Sequence, residues 1–370
     1  MSQTLERPSI EEHVSSGGVI AILAGAGTNA AHTLARLNVR HRFGASGGAI
    51  YTAVAATGRS TPQILRIAIE EHFGDNLDIA GGVLGGVGEL KRRLGKAVRL
   101  WRSKPAERAK ILQEEDTDTW LGTGLLGTTK LGKFIQRQAD ATGLGNAWPE
   151  GYSVIATTKS GEIVYFGQEG VDLISNEGEK IRLADEPAPL PLAVRASAAI
   201  PGVMVAPEYM GMLLFDGAMN RFGFCPTPVR IRYYGVDPKH IVACRIGEDY
   251  NHYAMGPTQR IVRRIWGINP HYNWEEETAG VLQFRPVIDH IHALNFELSP
   301  DQKWLAILIA FFDDLRALSL AGLLDEQATK EAREIEDKIG FWRDIIPGGV
   351  GKEQVLAPRA ERAFAEHGLY

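Results

Sequence analysis

An α/β fold is predicted by three stretches of this chain, in each of which a strand pattern runs into glycine or small residues. Gly18-Val19-Ile20-Ala21-Ile22-Leu23 is apolar throughout, as strands of a parallel sheet covered on both faces are. It runs into Ala24-Gly25-Ala26-Gly27-Thr28-Asn29-Ala30 and a short helical pattern through Leu34 and Leu37. Val39 to Phe43 reads as a second strand, followed by the turn Gly44-Ala45-Ser46-Gly47-Gly48 and the helix-compatible run Tyr51 to Ala56. Met212-Leu213-Leu214-Phe215 is a third strand, closed by Asp216-Gly217-Ala218.

Composition narrows the function classes. The chain has 370 residues, 44% of them hydrophobic and 23% charged, as expected of an ordinary globular protein with one large domain plus an appendage, or two domains. A net charge of −5 argues against a general nucleic-acid binder. Cys225 and Cys244 are too few for a disulfide framework or a clustered cysteine metal site, so a reducing, cytoplasmic setting is expected. Met1 to His13 lacks the layout of a secretion signal. The longest strongly apolar run, Trp304 to Phe312, is stopped by Asp313-Asp314 and is too short to span a bilayer.

The turn around Ser46 is where chemistry is expected. A serine between glycines at a strand-to-helix turn has its hydroxyl pushed clear of the backbone, and the following helix aims free N–H groups at any charge that forms there. The other reading is a plain glycine-rich turn. Gly25-x-Gly27-x-x-Ala30 fits a dinucleotide fingerprint, but Arg42 to Gly48 supply no acidic residue at the required distance. Its second reading is an oxyanion loop beside the strand end that carries Ser46. Only 45 residues precede Ser46, room for about two strands, which disfavours an α/β-hydrolase order with its later histidine. Asp216, at the end of an apolar strand with small neighbours, is either a carboxylate reaching into a cleft or a strand-exit turn.

The remaining elements follow in order. Residues 91–110 carry lysines and arginines beside the apolar positions Leu90, Leu94, Ala97, Val98 and Trp101 at helical spacing. Such a segment can lie on an anionic bilayer or pack its stripe on the core, and the acidic patch Glu114 to Asp118 limits any attraction. Gly122 to Gly132 is a loop leading to a helix at Leu131 to Ala141, and Val154 to Thr158 with Glu162 to Phe166 form a hairpin. Leu192 to Ala199 is rich in small residues and stops at Ile200-Pro201-Gly202. Ile241 to Ile246 reads as the last core strand, with Cys244 a buried small hydrophobe. Arg260, Arg263, Arg264 and Trp266 form a second basic patch. His290 and His292 lack a third ligand nearby and are read as structural. Pro286 to Ile345 is helical in pattern, and Gly348 to Tyr370 reads as a mobile tail with one short helix. The expected division is an N-terminal tail (1–16), a catalytic domain (17–285) and a C-terminal helical region (286–370).

Four blocks in order resemble the patatin-like phospholipase family: Gly25-Ala26-Gly27 its oxyanion loop, Gly44-Ala45-Ser46-Gly47-Gly48 its nucleophile elbow, Ala196 to Pro201 a characteristic helix end, and Asp216-Gly217-Ala218 its Asp-Gly-Gly/Ala motif. The resemblance covers roughly residues 17 to 250. It implies a three-layer α/β/α sandwich with a C-terminal helical extension, and a lipid acyl hydrolase of the phospholipase A or lysophospholipase type. It also implies a Ser-Asp dyad of Ser46 and Asp216, backbone N–H groups of Gly25, Ala26 and Gly27 as the oxyanion hole, and no cofactor or metal. The implied partner is a phospholipid or other acyl-ester lipid, with peripheral membrane contact through 91–110. The chain departs from the family where Asn29 and Ala30 stand in place of a basic residue and a glycine, and the connection from Gly27 to Gly44 is short. The alternative is a catalytically silent protein of this fold that binds a membrane or a protein partner.

Overall fold

The computed structural model describes residues 10–18, 20–76, 78–79, 126–201, 203–223, 226–245, 274–288, 298–340, 342 and 356–370. Strand β1 (Glu12–Gly17) leads to helix α1 (Ile20–Leu34), β2 (His41–Ser46), α2 (Gly47–Ala56), α3 (Thr61–Glu70) and β3 (Asp78–Ile79). Next come β4 (Leu126–Gly127), α4 (Thr129–Asp140), β5 (Tyr152–Thr158), β6 (Ile163–Gly167), β7 (Gly170–Ile174), β8 (Lys180–Ala184) and α5 (Leu190–Ser197). The chain continues through β9 (Glu208–Tyr209), β10 (Met212–Phe215), α6 (Thr227–Tyr234), β11 (Ile241–Arg245), the short α7 (Trp274–Glu277) and β12 (Leu282–Phe284). Three helices close it: α8 (Pro300–Leu320), α9 (Glu326–Ile339) and α10 (Leu356–Glu366).

Among the described residues, ten strands form one mixed sheet in the order β12-β11-β1-β2-β5-β6-β7-β8, with β10 paired to β5 and β9 to β10. Pairing is parallel from β12 to β5 and antiparallel from β5 to β8. Alternation along the strands divides the core. Val14, Phe43, Ala45, Ile155 and Ala243 pack with Val229 of α6, while Val154, Val242 and Cys244 join the larger cluster with α1, α2 and α8. The result is a helix–sheet–helix sandwich of the α/β class.

Packing explains the departures from the sequence reading. Gly18 to Leu23 is not a strand: the first strand is β1, and the apolar run opens α1. Every residue of α1 except Thr33 is buried, because the helix is wedged between the sheet and α8. A helix apolar all round gives no 3.6-residue period to read. β1 went the other way: all six residues are buried although most are polar. Its Glu12 holds the Arg230 guanidinium of α6 by two bonds of 2.8 and 3.0 Å, with Tyr165 completing the group at 2.6 Å from Arg230. Residues 12–16, read as part of a tail, are therefore core. The second strand starts at His41 and runs straight to Ser46.

The C-terminal helices belong to the same core. A Cβ on Gly27 would stand 2.3 Å from the Ile307 carbonyl oxygen, so glycine is what lets α1 and α8 approach so closely. Ser299 and Gln302 cap α8 reciprocally, the Gln302 N–H donating to Ser299 Oγ and the Ser299 N–H to Gln302 Oε1. Residues 356–370 are not a loose tail, since Phe364 of α10 stacks edge-on against Trp304 of α8 with ring centroids 5.2 Å apart. β11 is not the last strand of the sheet, because β12 follows it and pairs with it. The hairpin of β5 and β6, the strand β10 and the buried Cys244 match expectation. Residues 81–125, Cys225, the 260–266 patch, His290 and His292 lie outside the described residues. No described helix is long and apolar enough to cross a membrane.

Candidate active site

β2 ends on Ser46, whose backbone turns at φ 56° and ψ −133° into the first residue of α2. A non-glycine residue with positive φ is uncommon, and such strain persists only where the surroundings enforce it. Here the enforcement is steric. A Cβ on Gly48 would lie 2.2 Å from the Ser15 carbonyl oxygen, and one on Gly44 would lie 2.3 Å from Thr52 Oγ1. α2 therefore leaves the sheet at once, and its first-turn N–H groups have no partners within the helix. Ser46 stands at this positive helix end, 5% exposed.

Asp216 reaches Ser46 from a strand that arrives 170 positions later in the chain. β10 runs antiparallel to β5, with Leu214 opposite Thr158 and Phe215 opposite Thr157. β2 pairs with the earlier part of the same strand, Gly44 opposite Val154. The end of β10 and the end of β2 therefore meet at one level beside β5. The Ser46 hydroxyl donates to Asp216 Oδ2 at 2.7 Å, and the Ala218 N–H donates to Asp216 Oδ1 at 2.9 Å. Both carboxylate oxygens are engaged and the orientation is fixed.

The backbone around Asp216 is held as well. The Asp216 N–H donates to the Ala199 carbonyl at 2.9 Å and the Gly217 N–H to the Ser197 carbonyl at 2.8 Å. Thr157 Oγ1 donates to the Asp216 carbonyl at 3.0 Å. Gly217 fits because a Cβ there would lie 2.4 Å from the Ile155 carbonyl oxygen. Asp216 is 1% exposed, and burial raises its pKa from 3.8 to about 6, against the pull of the Ser46 and Ala218 donors. A carboxylate at that value can accept and return a proton near neutral pH. The Ser46 hydroxyl is bonded to a carboxylate and not to an imidazole.

The structure brings together Ser46, Asp216, Gly44, Gly48, Gly217 and Ala218 of the expected residues. Gly25, Ala26 and Gly27 stand elsewhere. They are the sixth to eighth residues of α1, where the N–H groups are taken up by the helix itself. Gly25 is pressed on the Tyr51 ring and Gly27 on α8, so they are packing glycines and form no loop. Asn29 likewise lies in α1 and donates to Thr61 Oγ1 at 2.8 Å, with Ala30 fully buried, so the departure at these two positions concerns helix packing and not an anion site.

The glycines that do face the elbow are Gly17 and Gly18, between β1 and α1. Gly17 has φ 132° and stands opposite Ser46 in the ladder. A Cβ on Gly47 would lie 2.0 Å from the Gly18 carbonyl oxygen. The signal was the Gly17-Gly18 pair: Gly18 was read as the start of a strand, whereas a strand ends on Gly17. Ser197 and Thr157 gave no signal of their own role. Among the described residues, no group of three or more His, Cys, Asp or Glu is placed to hold a metal ion.

A family model described as patatin-like phospholipase matches residues 14–227. No curated protein sequence matches the chain. Among solved structures, the chain is similar to VipD from Legionella pneumophila, at 14% identity over 97% of this chain and 80% of that one, with a TM-score of 0.41. It is similar to the type III effector protein ExoU at 12% identity over 98% of this chain and 70% of that one, TM-score 0.38. Human GIVD cytosolic phospholipase A2, solved with methyl gamma-linolenyl fluorophosphonate, shows 13% identity over 89% of this chain and 61% of that one, TM-score 0.34.

Proposed function

The chain belongs to the patatin-like phospholipase family, and from that membership and the site geometry we propose that it is a serine-dependent lipid acyl hydrolase. The observation that carries the reading is the 2.7 Å hydrogen bond from the hydroxyl of a strained elbow serine to a buried carboxylate of raised pKa.

In the proposed reaction Asp216 takes the Ser46 proton as Oγ forms a bond to the ester carbonyl carbon. The tetrahedral oxyanion is met by backbone N–H groups around Gly18 and Gly47, each donor contributing about 3 kcal/mol. The intermediate collapses, the alcohol leaves with the proton from Asp216, and an acyl-enzyme remains on Ser46. Asp216 then takes a proton from water, whose oxygen attacks the acyl carbon, and returns that proton to Ser46 as the fatty acid departs. A carboxylate of ordinary pKa would be a feeble base for these steps, and desolvation supplies the missing basicity.

The catalytic unit of this reading runs from β1 through α10, since the C-terminal helices share the core cluster with α1 and α2. Contact with an anionic lipid surface is assigned to the basic segment 91–110, and vesicle binding that falls with added salt tests it. For the reaction, fatty acid release from dispersed phospholipid is measured with the wild type, Ser46→Ala and Asp216→Ala. Release by the wild type alone supports the proposal, and equal release by either folded variant overturns it.

A further inference from the structure

We propose that Ser197 is a positioning residue that holds the nucleophile and its base in register, an inference that rests on the hydrolase reading above. Ser197 is the last residue of α5 and is fully buried. Its side chain serves one half of the site: the Ser46 N–H donates to Ser197 Oγ at 3.0 Å. Its main chain serves the other half: the Gly217 N–H donates to the Ser197 carbonyl at 2.8 Å, next to Asp216. One residue thus bridges the elbow and the strand end that delivers the carboxylate.

Two features make the side-chain bond consequential. A buried backbone N–H needs an acceptor, and Ser46, turned to φ 56°, receives one from Ser197. The bond therefore supports the strained conformation that points Oγ at Asp216. Space around Oγ is also closed, since a Cβ on Gly217 would come within 2.9 Å of it. Ser197→Ala removes the hold on the nucleophile and leaves the main-chain hold on the base. The elbow can then relax, and Ser46 Oγ drifts from Asp216. Misplacement of reacting groups by about 1 Å can cost on the order of 100-fold in rate.

The test compares wild type, Ser197→Ala and Ser197→Cys by fluorophosphonate labelling rate, and by kcat, KM and pH profile on a soluble ester. Ser197→Ala is expected to label and turn over about 10- to 100-fold more slowly with KM little changed. Its acid limb is expected to move to higher pH, because the Ser46 donor that favours the ionised carboxylate is lost. Ser197→Cys keeps a weak acceptor of similar size and falls between the two. A purely structural role would lower the folded fraction and leave the pH profile and the labelling rate per folded molecule where they were. Wild-type rates and pH profile in folded Ser197→Ala overturn the inference, and if that variant does not fold, wild-type behaviour of Ser197→Cys does so. Absence of labelling in the wild type instead overturns the hydrolase reading beneath it.

Discussion

Replacing Asp216 by asparagine is expected to abolish turnover while making the protein more stable at neutral pH. The carboxyl sits in the fold with its pKa raised from 3.8 to about 6, chiefly by burial. The folded state therefore binds this proton more readily than the unfolded state. The stabilisation that comes with protonation is complete below about pH 4 and is lost as pH rises through about 6. At pH 8 the wild type carries a buried charge whose cost, at 1.36 kcal/mol per pH unit, is about 3 kcal/mol. Asparagine is neutral at every pH, keeps an oxygen for the Ala218 N–H and meets Ser46 Oγ with its amide. For a chain of 370 residues, 3 kcal/mol corresponds to about 4 °C in Tm. Thermal denaturation of both proteins at pH 8 and pH 4 measures the difference. It should be near 4 °C in favour of the variant at pH 8 and should shrink towards zero at pH 4. A variant no more stable than the wild type at pH 8 would refute the argument that desolvation makes this carboxylate a base.

The rate on a soluble ester is expected to fall about tenfold from pH 7 to pH 5 as Asp216 takes up its proton, whereas a carboxylate of ordinary pKa would leave it nearly flat; stopped assays across that range decide between them. Gly27→Val places a Cβ 2.3 Å from the Ile307 carbonyl oxygen and forces α1 from α8, so a loss of at least about 2 kcal/mol is expected in urea unfolding. His13 and His32 are buried with their pKa values lowered, His32 to about 3, by burial first and by neighbouring charge second. Because the unfolded chain takes up these protons first, stability should fall below about pH 6.5, by about 1.4 kcal/mol per pH unit per histidine. Replacing His32 with glutamine should flatten that slope in acid titrations of the fold.

The candidate site was largely legible in the sequence, and the frame beneath it was less so. Ser46 and Asp216 stand out because the chemistry demands small neighbours: Gly48 and Gly217 each back onto a carbonyl oxygen, and no side chain could replace their hydrogens. That constraint is local and can be read from spacing. The glycines beside the elbow, Gly17 and Gly18, precede the stretch Gly25 to Gly27 expected as an oxyanion loop, because α1 and β1 each contradict the usual pattern. The first turn of α1 is buried on every side and so read as a strand, while β1 is polar and so read as part of a tail. What makes β1 a core strand is the Glu12 bond to Arg230, whose partner lies 218 positions away. No local window contains both. Ser197 was visible only as part of a helix-end motif, since its role depends on the Ser46 N–H, 151 positions earlier.

The central claim is that Ser46 is an activated nucleophile, and labelling with a fluorophosphonate probe at pH 8 tests it most directly. Wild type and Ser46→Ala are treated side by side and the modified peptide is identified. One labelled peptide, carrying Ser46, is expected in the wild type and none in the variant. A folded wild type that stays unlabelled, or a label that persists in Ser46→Ala, would contradict it.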